Sequence, residues 1–181
     1  MEFIKTKFED AYIITPQVFG DARGFFLESY SQKEFGVNGI KNIFVQDNHS
    51  LSVKKGVLRG LHFQKPPFAQ AKLIRVTRGK VYDVILDLRQ DSETFGQWEG
   101  FELSAENFQM LFVPRGFAHS FLTLEDETEF QYRCDEFYHP EADSGIIWND
   151  PNLKIDWPIE KPILSEKDKS LGLFKDLNSP F

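Results

Sequence analysis

Lys72-Leu73-Ile74-Arg75-Val76-Thr77-Arg78 runs up to Gly79, and Val81-Tyr82-Asp83-Val84-Ile85-Leu86-Asp87-Leu88 follows directly. Both runs are rich in β-branched and aliphatic residues, so they predict strands that form either a tight hairpin or one bent strand. Similar short runs occur at residues 98–103, 110–113, 118–124 and 129–134. A spacing of roughly 8 to 12 residues between such runs is typical of an all-β sandwich or barrel.

Helix signals are few and lie outside these runs. Ser31-Gln32-Lys33-Glu34 has the pattern of a capping box, but we expect Gly36 to stop that helix almost at once. Ser165-Glu166-Lys167-Asp168 predicts an N-cap followed by acidic residues, opening a short helix towards Leu173. Residues 148–162 contain three prolines and are expected to be irregular. The prediction is a mostly β chain with a few short peripheral helices.

Composition limits the function classes. The 181 residues show no repeat and no break in composition, so we expect one domain over residues 1–181. A net charge of −7 argues against a nucleic-acid-binding protein. No apolar stretch of about 18 residues and no signal-peptide pattern is visible, so no membrane partner is expected. Cys134 is the single cysteine and cannot form an intramolecular disulfide, which favours a cytoplasmic location.

Two of the four histidines lie in suggestive settings. Pro114-Arg115-Gly116-Phe117-Ala118-His119 resembles the second motif of the cupin barrels. The first cupin motif supplies a His-x-His pair of metal ligands, and the corresponding stretch here contains His62 and Gln64. An amide is a poor transition-metal ligand beside an imidazole, and two histidines alone leave a catalytic metal with too few ligands. The sequence therefore predicts no metal.

Without a metal, three side chains are candidates for acid–base chemistry. His62 suits a general base, although an isolated histidine is more often a core residue. Lys72 shares a strand face with Ile74 and Val76; on an inner face its ammonium would need an anionic partner, and the alternative is a solvated face. Tyr132 could donate a proton or be an ordinary core tyrosine.

Taken together, stretches along nearly the whole chain resemble one enzyme family, the dTDP-4-dehydrorhamnose 3,5-epimerases. The most specific of them lies within Gly56-Val57-Leu58-Arg59-Gly60-Leu61-His62-Phe63-Gln64. The other matching segments cover residues 21–28, 45–50, 72–76, 113–119, 132–138, 145–151 and 165–168.

This resemblance implies a cupin-type jelly-roll β-barrel or sandwich that uses no cofactor. It implies conversion of dTDP-4-dehydro-6-deoxy-D-glucose to dTDP-4-dehydro-L-rhamnose by proton abstraction at C3 and C5. His62 would be the base, oriented by Asp168, while Tyr132 would be the acid and Lys72 would stabilise the enolate oxygen. The implied substrate-binding residues are Arg23, Glu28, Gln46, Asn48, Arg59, His119, Tyr138, Asp143 and Lys167, with Tyr138 stacked on the thymine ring.

The resemblance also implies a homodimer. The sequence departs from the family's pattern at Phe63, where Tyr is common, at Ala71, where Gly is usual, and at Asp143, where Glu is frequent.

Three other interpretations of the function stay open. They are an epimerase that acts only at C3 or only at C5, a metal-dependent cupin enzyme, and a non-catalytic sugar-binding module.

Overall fold

The computed structural model describes residues 1–181 as thirteen strands, two short helices and one 3-10 turn. The strands are β1 (Glu2–Lys5), β2 (Tyr12–Thr15), β3 (Val18–Asp21), β4 (Gly24–Leu27), β5 (Gln46–Ser52), β6 (Leu58–Gln64), β7 (Lys72–Arg78), β8 (Lys80–Asp87), β9 (Trp98–Ser104), β10 (Met110–Val113), β11 (Phe117–Thr123), β12 (Thr128–Cys134) and β13 (Asp143–Gly145). The helices are α1 (Gln32–Val37) and α2 (Glu166–Lys169), and the 3-10 turn spans Phe174–Asp176. Neither helix has the length and apolar character needed to cross a membrane.

Two antiparallel sheets make up most of the fold. The six-stranded sheet has the order β1-β2-β10-β7-β12-β5, and the five-stranded sheet has the order β13-β6-β11-β8-β9. The remaining strands, β3 and β4, pair only with each other in a separate hairpin. This is the mostly β, cupin-type jelly-roll architecture that the sequence predicted.

The link between β7 and β8 joins the two sheets. Because β7 lies in the six-stranded sheet and β8 in the five-stranded one, the tight hairpin, one of the two predicted arrangements, is wrong. Gly79 makes the connection with a φ of +73°, and a Cβ at this position would lie 2.5 Å from Thr128 Oγ1. The chain therefore crosses from one sheet to the other at Gly79, where the backbone conformation and the nearby Thr128 leave no room for a side chain.

The main core lies between the sheets. Residues of β7, β10 and β12 meet residues of β8, β9 and β11 there, and the facing side chains are apolar. Phe121 and Phe130 stack across this space, with ring centroids 3.9 Å apart. Two further clusters cover the outer faces, one beneath α1 and one beneath the C-terminal segment. The inner cluster ends at one side in a cavity.

The helices differ slightly from the prediction. α1 continues one residue past Gly36, and the Ser31 side chain makes no capping hydrogen bond, so the expected capping box is absent. α2 has the predicted cap, since Ser165 Oγ accepts from the Asp168 N–H. It ends at Lys169, short of Leu173. Residues 148–162 form no helix or strand, as predicted.

Candidate active site

A cavity of about 640 Å³ opens between the two sheets. Side chains of β6 and β11 form one wall, side chains of β5, β7 and β12 form the facing wall, and residues 163–168 contribute a third side. The polar and charged lining residues are Asn48, His49, Ser50, Arg59, His62, Lys72, His119, Tyr132, Ser165, Lys167 and Asp168.

A histidine–aspartate pair joins the first wall to the third side. His62 Nε2 lies 2.6 Å from Asp168 Oδ1. Asp168 is buried, and its Oδ2 accepts from Ser165 Oγ at 2.6 Å. Burial alone would raise the pKa of Asp168, but the contacts with His62 and Ser165 outweigh it and hold that pKa below its ordinary value. The ionised carboxylate faces Nε2, which leaves Nδ1 of His62 without a protein partner.

A second histidine–aspartate pair is more deeply buried than the first. His119 Nε2 is 3.0 Å and 2.9 Å from the two carboxylate oxygens of Asp83, which is completely buried. Burial lowers the pKa of His119, although the charge of Asp83 acts in the opposite direction. His119 also faces His62 directly, since the two residues are register partners in neighbouring strands. The imidazole is thereby held in one orientation at the cavity surface.

The facing wall carries the lysine and the tyrosine. Lys72 Nζ lies 5.9 Å from the centroid of the Tyr132 ring and has no carboxylate within ion-pair distance. Burial lowers the pKa of Lys72, and burial raises the pKa of Tyr132. The phenol therefore keeps its proton over a wide pH range, and the ammonium faces a cavity in which an anion would stabilise its charge.

A polar network at the edge of this cavity surrounds Tyr138. The Tyr138 N–H donates to Gln46 Oε1 at 3.1 Å, and its hydroxyl donates to Asp143 Oδ2 at 3.0 Å. Asp143 also forms an ion pair with Lys167, which lines the cavity. Gln46 in turn donates to Asn48 Oδ1 at 3.1 Å. The network connects an exposed aromatic ring to the cavity lining.

The chain matches one family of known enzymes over most of its length. The sequence model of the dTDP-4-dehydrorhamnose 3,5-epimerase family matches residues 5–176. A protein of that name from Methanothermobacter thermautotrophicus is 53% identical over 171 residues, which cover 93% of this chain and 91% of that protein. The chain belongs to this family.

Solved structures agree with this family assignment. A dTDP-4-dehydrorhamnose 3,5-epimerase from Bacillus anthracis, crystallised with TDP and pyrophosphate, is 53% identical and superposes with a TM-score of 0.94, covering 95% of this chain and 98% of that one. The Legionella pneumophila enzyme, in complex with dTDP-4-keto-L-rhamnose, is 45% identical with a TM-score of 0.93, covering 98% and 94%. This epimerase is therefore an isomerase of carbohydrates with the family's fold.

Most of the side chains predicted from the sequence meet at this one cavity. Eight of them line it, namely Asn48, Arg59, His62, Lys72, His119, Tyr132, Lys167 and Asp168. Gln46, Tyr138 and Asp143 belong to the network at its edge. Ile74 and Val76, which share a strand face with Lys72, are buried, so the alternative of a solvated face is wrong.

Arg23 and Glu28 do not line this cavity. Arg23 lies at the turn of the β3–β4 hairpin, where its exposed guanidinium pairs with Asp21 at 2.6 Å. Glu28 follows β4 and is also exposed. Within one chain, both residues therefore lie outside the cavity at which the other predicted site residues meet.

Four polar residues at or beside the cavity were not predicted as site residues: His49 and Ser50, which line it, Ser165, which also lines it, and Asp83, which pairs with His119. Asp83 alternates with Val81 and Ile85, both of which face the core, so its carboxylate had to be buried and had to have a partner. That alternation was the available signal. The sequence predicts Ser165 only as a helix cap, but its hydroxyl also donates a hydrogen bond to the Asp168 carboxylate.

Gln64 is bonded entirely to the backbone. Its Nε2 donates to the carbonyls of Phe68 and Phe137, and its Oε1 accepts from the His139 N–H. No group of three or more His, Cys, Asp or Glu side chains is arranged to hold a metal ion. Metal-free activity stays a prediction and is tested below.

Proposed function

We propose that this epimerase converts dTDP-4-dehydro-6-deoxy-D-glucose to dTDP-4-dehydro-L-rhamnose, with His62 as the base and Tyr132 as the acid. The observation that carries the proposal is their position on opposite walls of one cavity, His62 on β6 of one sheet and Tyr132 on β12 of the other. Inversion at a carbon requires that a proton leave one face of the sugar and that another arrive at the opposite face.

The chemistry follows from the ketone at C4. Protons on C3 and C5 are acidic because the electrons of the broken C–H bond move onto O4 as an enolate. Nδ1 of His62 would accept the proton, while the Asp168 carboxylate stabilises the resulting imidazolium through Nε2. Lys72 would stabilise the negative charge on O4, and Tyr132 would return a proton from the other face. His62 would then release its proton to solvent and Tyr132 would be reprotonated from solvent before the second carbon reacts. The pKa of Tyr132, which burial raises, suits a group that must be protonated before it acts.

The nucleotide part of the substrate would bind at the edge network. The exposed Tyr138 ring offers a flat surface to thymine, and Arg59 and Lys167 line the cavity with positive charge suited to the diphosphate. Asn48, Gln46, His119 and Asp143 would supply polar contacts to the remaining groups. These positively charged side chains would allow a protein with a net negative charge to bind a substrate that carries two negative charges.

We also propose a cytoplasmic homodimer. The β3–β4 hairpin exposes Phe19, Phe25 and Phe26, each more than half exposed, and pairs with no other strand of its own chain. Burial against a second subunit would cover these rings. Arg23 and Glu28 lie on this hairpin or next to it, so their predicted contact with substrate requires that they reach the cavity of a partner subunit.

The test of the function is incubation of the protein with dTDP-4-keto-6-deoxyglucose in deuterated water, followed by NMR of the sugar ring. We expect deuterium at both C3 and C5 and formation of the L-rhamno product. Exchange at one carbon only would indicate an epimerase that acts at a single centre. The absence of any exchange would favour a sugar-binding module and contradict the proposal.

A chelation experiment tests the absence of a metal. Since Gln64 faces backbone groups rather than the cavity, we expect the turnover rate to be unchanged after exhaustive treatment with EDTA and dialysis. Loss of activity that Zn, Fe or Mn restores would replace the proton-transfer mechanism with a metal-dependent one.

A further inference from the structure

Tyr138 lies on an exposed loop, but hydrogen bonds fix both its backbone and its side chain. Tyr138 is 54% exposed, yet both its N–H and its hydroxyl are hydrogen-bonded to side chains of other segments. Loop side chains at the surface ordinarily keep much of their conformational freedom. A ring that is already fixed loses less entropy when a flat ligand stacks on it.

The residues on either side of Tyr138 are held by Gln64. Its amide group donates to the Phe137 carbonyl at 3.0 Å and accepts from the His139 N–H at 2.7 Å. The second amide hydrogen goes to the Phe68 carbonyl at 2.7 Å. The loop that contains Phe68 is packed on the same segment, since the Phe68 and His139 rings stack with centroids 3.7 Å apart. Gln64 is buried and does not line the cavity.

We propose that Gln64 is a positioning residue for nucleotide recognition, which holds residues 137–139 so that the Tyr138 ring faces the base. The inference rests on the proposed function, in which that ring stacks on thymine. A neutral imidazole has one donor and one acceptor, so a histidine at position 64 could not make all three hydrogen bonds. The same strand, β6, thus carries the catalytic base at residue 62 and the support of the nucleotide site at residue 64.

The test is a double-mutant cycle on the binding of dTDP, measured by calorimetry. Gln64→Met keeps the volume of the side chain and removes all three hydrogen bonds. We expect it to weaken dTDP binding about tenfold, the effect of roughly one net hydrogen bond. In a Tyr138→Ala background, the same change should alter affinity less than about twofold, because no ring is left to position. At saturating substrate, kcat should stay within about twofold of the wild type, since the change acts on binding and not on proton transfer.

Two further variants complete the experiment. Gln90→Met also removes a glutamine-to-backbone bond, from Gln90 Nε2 to the Ser179 carbonyl at 2.7 Å. Neither Gln90 nor Ser179 lines the cavity, so this variant should leave dTDP binding unchanged. Gln64→Glu keeps the acceptor for His139 and loses both donors, so it should weaken binding in the same background-dependent way.

Equal losses of affinity with and without the Tyr138 ring would show a general structural role and overturn the inference. Unchanged affinity in both Gln64 variants would overturn it as well. These results differ from a failure of the proposed function, which would appear as a wild-type protein that neither binds dTDP nor exchanges substrate protons.

Discussion

At the scale of single residues, the Asp83–His119 pair is the polar contact most deeply enclosed in the site. Both carboxylate oxygens face the same imidazole nitrogen, and no other side chain satisfies them. Removing one partner of a buried hydrogen-bonded pair leaves the other polar group unsatisfied, which is more destabilising than loss of an exposed contact.

Asp83→Asn should therefore lower the free energy of unfolding by about 1–3 kcal/mol, because it replaces a charge-assisted contact with a weaker one. The measurement is urea unfolding at neutral pH. Asp21→Asn is the control, since it removes the exposed partner of Arg23 and should leave the unfolding midpoint nearly unchanged. Similar losses in the two variants would show that the buried pair contributes no more than a surface one.

The sequence could predict the residues that belong to specific motifs, and the family resemblance also implied that Asp168 orients His62, but the partner of His119 could not be predicted. His62, Lys72 and Tyr132 lie in segments that resemble the family, and all three face the cavity. Asp83 could be inferred to be buried from its apolar neighbours, but its pairing with His119 depends on the register of β8 and β11. Register is set by the packing of the whole sheet and leaves no local signal.

At the scale of elements, the crossing at Gly79 decides how the two sheets are connected. A methyl group there would meet Thr128 at 2.5 Å, in a backbone conformation that other residues rarely adopt. The strand runs on both sides were recognisable from their β-branched residues. Their assignment to different sheets was not, because alternation is the same for a hairpin and for a crossing.

Gly79→Ala should destabilise the fold by about 1–3 kcal/mol, from backbone strain together with the clash. Thermal unfolding measures the loss. Gly39→Ala is the matched control, since Gly39 also has a positive φ, +88°, but a Cβ added there would meet no atom within 4 Å. A Gly79→Ala protein no less stable than Gly39→Ala would contradict the view that close approach to Thr128 requires glycine.

At the scale of the whole molecule, a single chain leaves the aromatic side chains of the β3–β4 hairpin exposed. It also leaves two of the predicted substrate-binding residues outside the cavity. Phe25 and Phe26 are 58% and 69% exposed, while Arg23 and Glu28 lie outside the cavity. Family resemblance could suggest a dimer from the sequence, but composition and periodicity could not, because an apolar residue on a hairpin has the same pattern whether it faces a core or another subunit.

Sedimentation should show a dimer for the wild-type protein, and Phe25→Ser combined with Phe26→Ser should shift the equilibrium towards monomer, because it removes apolar surface from the proposed interface. Val37→Ser, which changes an apolar side chain that is 79% exposed on α1, should leave the equilibrium unchanged. A wild-type protein that sediments as a monomer at all concentrations would contradict the proposed assembly.

If base and acid act from opposite faces of the sugar, hydrogen exchange and epimerisation should respond differently when each residue is replaced. His62→Ala removes the base, so neither exchange at C3 and C5 nor epimerisation should occur. Tyr132→Phe keeps the base and Lys72, so an enolate still forms and is reprotonated from the side of His62. Tyr82→Phe, outside the cavity, serves as the control.

The decisive measurement is the ratio of deuterium incorporation to product formation by the Tyr132→Phe enzyme in deuterated water. A mechanism with His62 and Tyr132 on opposite faces of the sugar predicts that deuterium enters the substrate while epimerisation falls about 10²–10⁴-fold, the usual contribution of one general acid. A Tyr132→Phe enzyme that epimerises at the wild-type rate would contradict it, because the proton on the far face would then come from another group.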